Sequence, residues 1–176
     1  LEYCWDRVDY ISAHRYSRND ENDTPQFLAE GLIIDRTLED YAGLLDYVRG
    51  VKRSPKRVYV SFDEWNVWYR TVHDTGDWSR APHLLEEVYN MEDALVCAQY
   101  LHSFIRHADY VKVACIAQIV NVIAPILSRR DGLLIQSIYW PSVWLAEHAK
   151  GISLRPHITS PTYKTNRYGE VPVLDA

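Results

Sequence analysis

A chain of 176 residues that is 47% hydrophobic and 12% aromatic can bury a sizeable core, which argues against a disordered segment. Its net charge of -5, with no clustered stripe of lysine and arginine, argues against nucleic acid as a partner, because phosphate recognition needs such a stripe. No run approaches the roughly 18 apolar residues of a membrane helix, so no membrane association is expected, and three scattered cysteines suit neither a disulfide framework nor a zinc site.

Residues 8–13 read as a short buried strand, with His14, Arg15 and Tyr16 at its C-terminal end. Residues 17–25 are polar and turn-rich and are expected to be an exposed loop. From Asp35 the pattern becomes helical: Leu38, Tyr41, Ala42, Leu45 and Val48 recur at helix spacing, and Gly50 followed by Pro55 is expected to end the helix. The basic stretch over residues 51–57 then reads as a helix C-terminus and solvated loop.

The next strand is expected over residues 57–62, and it leads into Asp63-Glu64-Trp65-Asn66-Val67-Trp68-Tyr69. A strand that delivers an acid into aromatic and amide side chains suits sugar cleavage: the acid does the chemistry, rings stack on the sugar, and the amide bonds hydroxyls. The same pattern also suits an ordinary strand end with a capping acid and core aromatics.

Residues 70–82 are loop-like, and the spacing of His73, Asp74, Asp77 and His83 fits no metal signature. Glu86 and Glu87 read as charge at a helix N-terminus. Asn90 is a strong N-cap for a helix whose apolar face carries Met91, Ala94, Leu95, Ala98, Leu101, Phe104 and Ile105. A third, near-continuously apolar strand is expected over 111–119, with Cys97 and Cys115 as packed thiols. An odd cysteine count favours a reducing compartment. Residues 120–126 look irregular, 138–149 form a short helix interrupted by Pro141, and β-structure of another kind follows Ile152.

Strands alternating with helices imply a parallel α/β sheet, either doubly wound or part of a (β/α)8 barrel. There is no nucleotide-binding glycine motif to favour the first, and polar residues gather after all three strands, as at the C-terminal face of a barrel.

Four segments in the same order resemble glycoside hydrolase family 51, the α-L-arabinofuranosidases: residues 8–16, Phe62 to Tyr69, residues 117–126, and residues 160–163 with 171–176. The resemblance implies a (β/α)8 TIM barrel followed by a β-sandwich. Residues 1–150 would be about three βα units, strands six to eight, and residues 151–176 a linker and the first strands of the sandwich. Three units cannot close a barrel of roughly 250 residues, so the chain is expected to be a fragment of a longer enzyme.

The resemblance also implies a retaining mechanism that removes terminal α-L-arabinofuranosyl residues from arabinan, arabinoxylan or their oligosaccharides, with Glu64 as nucleophile. His14, Tyr16, Trp65, Asn66, Trp68 and Gln118 match positions that line or support the sugar site. Arg15 and Asp63 are expected to point away from it, and Asn121 is a weaker candidate that could equally satisfy loop backbone. The acid/base of similar enzymes is a glutamate that follows an asparagine, and no Asn-Glu dipeptide occurs in this chain.

Similar enzymes need no cofactor or metal, are often homo-oligomers, and are often intracellular when bacterial, so a cytoplasmic location is expected for a bacterial source. Two alternatives remain open: a related endoglucanase-like glycosidase, and a carbohydrate-binding remnant that has lost catalysis.

Overall fold

The computed structural model describes residues 1–69, 80 and 85–176. The expected loop over 70–82, apart from Arg80, and the group His73, Asp74, Asp77 and His83 lie outside the described residues. Strands β1 (Tyr10–Ser17), β2 (Tyr59–Val67) and β3 (Val111–Ile116) form one parallel sheet in the order β1-β2-β3. Helices α1 (Thr24–Phe27) and α2 (Gly31–Lys52) connect the first pair, and α3 (Met91–Arg106) precedes the third strand. The parallel α/β reading is what the structure contains.

Burial alternates along β1. Ala13 and Ser17 are buried, whereas Tyr10, Ser12 and His14 are exposed. The covered face packs Val60, Phe62 and Trp65 of β2 against Ile34, Leu38 and Leu45 of α2 and Tyr100 and Phe104 of α3 in one apolar core. The opposite face is open. In β3 only Val111 is buried, and Cys115 is exposed, contrary to the expected packed thiol. Apolar composition marks a strand as fit for burial on both sides, but this sheet has helices on one side only.

Several boundaries differ from expectation for local reasons. Gly50 lies inside α2. The helix stops three residues later, at Arg53, whose left-handed backbone (φ 49°) returns its N–H to the carbonyls of Arg49 and Gly50. Lys52 and Lys56 then reach Asp6 and Asp9, at 3.6 and 3.1 Å. Residues 85–90 are not helical, so Glu86 and Glu87 do not begin a helix.

Asn90 does cap α3. Its side chain accepts from the backbone N–H groups of Glu92 and Asp93, and Asp93 accepts from the N–H of Asn90, which completes a capping box. Asn90→Ala is expected to cost about 1 kcal/mol, read as a lowered thermal midpoint; an unchanged midpoint would contradict this role for the cap.

Two hairpins follow the sheet. β4 (Ile126–Arg129) and β5 (Gly132–Ile135) pair antiparallel, starting where residues 120–126, expected to be irregular, end. Helix α4 (Tyr139–His148) contains Pro141 in its first turn, where the missing N–H would have had no helical partner, so the helix is uninterrupted. β6 (Thr162–Thr165) and β7 (Gly169–Pro172) form the second hairpin, closed by a three-residue loop with Gly169 at φ 71°.

Candidate active site

The site is built by an irregularity in β2. Ser12 pairs with Ser61 and His14 with Glu64, so β2 spends one more residue than β1 over this stretch. On the other side Phe62 pairs with Ala114 and Trp65 with Ile116, with the same excess. The surplus is a β-bulge at Asp63 and Glu64, which breaks the alternation of side chains and leaves both acids on the open face. Asp63 therefore does not face away from Glu64, as a regular strand would require.

The two carboxylates share His14. Its Nε2 lies 3.6 Å from Asp63 Oδ1 and its Nδ1 3.6 Å from Glu64 Oε2, and all three side chains are 42 to 49% exposed. Asp63 also accepts the Ser12 hydroxyl at 2.8 Å. That hydrogen bond, with further help from His14 and backbone N–H groups, holds the Asp63 carboxyl below the usual aspartate range.

Tyr16 donates its hydroxyl to Glu64 Oε2 at 3.0 Å. Partial burial and this bond push the phenol up to about 12, so it stays protonated, and a donor, throughout the neutral range. Trp68, just past β2, sets its ring edge-on to Tyr16 with centroids 5.2 Å apart, and its backbone N–H bonds the Ser17 carbonyl at 2.9 Å.

The remaining candidates separate. Trp65 turns to the helix side, 2% exposed, stacked on Tyr100 at 5.1 Å and edge-on to Phe104 at 5.4 Å. Its ring belongs to the core and not to a sugar-facing wall. Asn66 is fully buried, and its amide donates to the carbonyls of Ala117 (2.8 Å) and Ile123 (2.5 Å). It thus fixes the backbone on either side of Gln118 to Val122 from beneath.

Gln118 is exposed and lies two residues beyond β3, not at its last position. Asn121 accepts the Ser128 N–H at 2.7 Å, so it serves loop backbone. Arg15 points to the helix side as expected and meets Glu30 at 2.8 Å. Trp140 and Trp144 are half-exposed and line an apolar groove between α3 and α4.

Among the described residues no group of three or more His, Cys, Asp or Glu side chains is placed to hold a metal ion. No helix among them is long and apolar enough to cross a membrane. Sequence reasoning missed Ser12 and Glu30. Ser12 stands two residues before His14 on the same strand face, and that spacing was the available signal. Nothing local marks Glu30.

Two solvent-facing carboxylates on a parallel strand thus stand beside a phenol donor and an indole edge. The match to known proteins places this arrangement in a family. Residues 63–173 match the family described as "Alpha-L-arabinofuranosidase C-terminal domain", and the chain belongs to that family.

The whole chain is 41% identical to 37% of an intracellular exo-alpha-(1->5)-L-arabinofuranosidase of Acetivibrio thermocellus. It is 37% identical to 36% of an exo-alpha-(1->6)-L-arabinofuranosidase of Bifidobacterium longum, again over its full length. A family 51 α-L-arabinofuranosidase structure from Bifidobacterium longum superposes on 98% of the chain and 36% of its own, with a TM-score of 0.88 and 33% identity. An arabinose complex of the Thermotoga maritima α-L-arabinofuranosidase matches 89% of the chain and 30% of its own, with a TM-score of 0.72 and 28% identity. The chain thus spans 30 to 37% of the length of these relatives.

Proposed function

We propose that this chain carries the nucleophile half of a retaining, exo-acting α-L-arabinofuranosidase. The observation that carries the reading is the bulge at Asp63 and Glu64, which sets Glu64 on the open sheet face with the Tyr16 hydroxyl 3.0 Å from its oxygen. Glu64 attacks the anomeric carbon of a terminal arabinofuranosyl group. The C1–O bond of the leaving alcohol breaks, an ester to Glu64 forms, and water then cleaves that ester.

Tyr16 orients one carboxylate oxygen and leaves the other free to attack. Asp63, tied to Ser12 and facing His14, adjusts the charge around the nucleophile. His14 and Trp68 border the bound sugar, Gln118 contacts it, and Asn66 holds the loop on which Gln118 rides.

In this reading residues 1–150 form βα units six to eight of a (β/α)8 barrel, and 151–176 a linker and the first strands of a β-sandwich. The open face of the β1-β2-β3 sheet would then be barrel interior. The acid/base glutamate lies outside these 176 residues. The relatives' names support a terminal α-L-arabinofuranosyl group as the unit removed, in (1→5) linkage for one and (1→6) for the other, and the first is named intracellular. Arabinan, arabinoxylan and arabino-oligosaccharides are the substrates, and the cytoplasm the location, that this reading extends to.

Proton NMR of the first arabinose released by the full-length protein from an aryl α-L-arabinofuranoside tests the reaction class. The α-anomer is expected to form first, and initial β-anomer would contradict double displacement. Arabino-oligosaccharide bound but not cleaved would favour the binding remnant instead.

A further inference from the structure

We propose that Glu30 is a positioning residue for the nucleophile, gripping β1 on both sides of Tyr16 and joining that grip to the β6–β7 hairpin. The inference rests on Glu64 being the nucleophile.

Side chains alternate along β1, so Tyr16 faces Glu64 while Arg15 and Ser17 face the helices. Both neighbours end on the same atom: Glu30 Oε2 accepts from Arg15 Nη2 at 2.8 Å and from the Ser17 hydroxyl at 2.9 Å. Glu30 is only 8% exposed, in the turn between α1 and α2. A carboxylate is seldom buried there unless it is matched by donors, and here it has three. The third is the Tyr168 hydroxyl, 3.1 Å from Oε1, which comes from the loop that closes the β6–β7 hairpin. Tyr100 of α3 meets the Ser17 hydroxyl at 2.8 Å from the other side.

The strand end that carries Tyr16 is therefore held against rotation by one buried acid. Any turn of β1 here would swing the Tyr16 hydroxyl away from Glu64. Small misplacements of a reacting group cost large factors in rate, up to about a hundredfold per ångström.

The test is a double-mutant cycle in the full-length protein on 4-nitrophenyl α-L-arabinofuranoside. Rates are read in single turnover with enzyme in excess, so that the limiting rate and half-saturation, written kcat and KM here, report the step in which the Glu64 oxygen–C1 bond forms and the phenolate leaves with its bonding pair, needing no proton. Glu30→Gln is expected to lower kcat about tenfold with KM within about twofold. In a Tyr16→Phe background the same substitution is expected to add little, because Glu30 acts through Tyr16. Tyr168→Phe should lower kcat about two- to threefold and show the same coupling. It takes the place of Glu30→Gln if that variant loses its near-ultraviolet circular dichroism.

Effects that add independently of Tyr16, an effect on KM alone, or no effect would overturn the assignment. If the assignment alone fails, Glu64→Ala is still inactive. If Glu64→Ala remains active, the nucleophile reading falls, and the role of Glu30 with it.

Discussion

Glu64→Ala in the full-length protein is expected to lower kcat on aryl arabinofuranosides by about 10⁴-fold or more, because the ester can no longer form. The small cavity left on the open sheet face gives an external anion access to the anomeric carbon. Azide is therefore expected to restore turnover and to yield the glycosyl azide of inverted configuration. Asp63→Asn removes a charge but not the attacking oxygen, so its loss should be far smaller. Near-normal turnover by Glu64→Ala, or azide rescue of Asp63→Ala in its place, would show that the nucleophile is misassigned.

Trp65→Ala is expected to destabilise the protein by about 3–5 kcal/mol, a large share of the stability of an ordinary domain, and to lower both soluble yield and thermal midpoint. The ring is 2% exposed, stacked on Tyr100 and edge-on to Phe104, so truncation opens a cavity in the middle of the core. Trp65→Phe keeps most of the ring volume. It also gives up no hydrogen bond, since the Trp65 indole N–H has no partner among the described residues. That variant should fold and keep the wild-type KM. A raised KM in a stable Trp65→Phe protein would return Trp65 to the sugar-facing wall.

The alternation of strand and helix was legible because apolar spacing reports which faces can be buried. Asn90 announced the N-cap of α3 by local chemistry alone, and the structure adds Asp93 as the other half of a capping box. The pairing of His14 with Tyr16 on one strand face followed from the two-residue period, and the Arg15 side chain took the opposite face for the same reason.

The same period misled at Asp63. A bulge is decided by what two neighbouring strands demand of β2, and Phe62-Asp63-Glu64-Trp65 carries no local mark of it. Trp65 was misread for a related reason: with one residue inserted, the ring next to the acid falls on the helix side. The β4–β5 hairpin turns on Arg130 and Asp131, a pair without the glycine or asparagine that marks a two-residue turn in sequence. Glu30 was beyond reach of sequence, because its partners are 13, 15 and 138 residues away.

The most direct measurement is the identity of the residue that a fluorinated, mechanism-based arabinofuranosyl inhibitor modifies in the full-length protein, mapped by peptide mass. The account predicts an adduct on Glu64. An adduct on Asp63, or on no carboxylate of the segment from Ser61 to Tyr69, would contradict it.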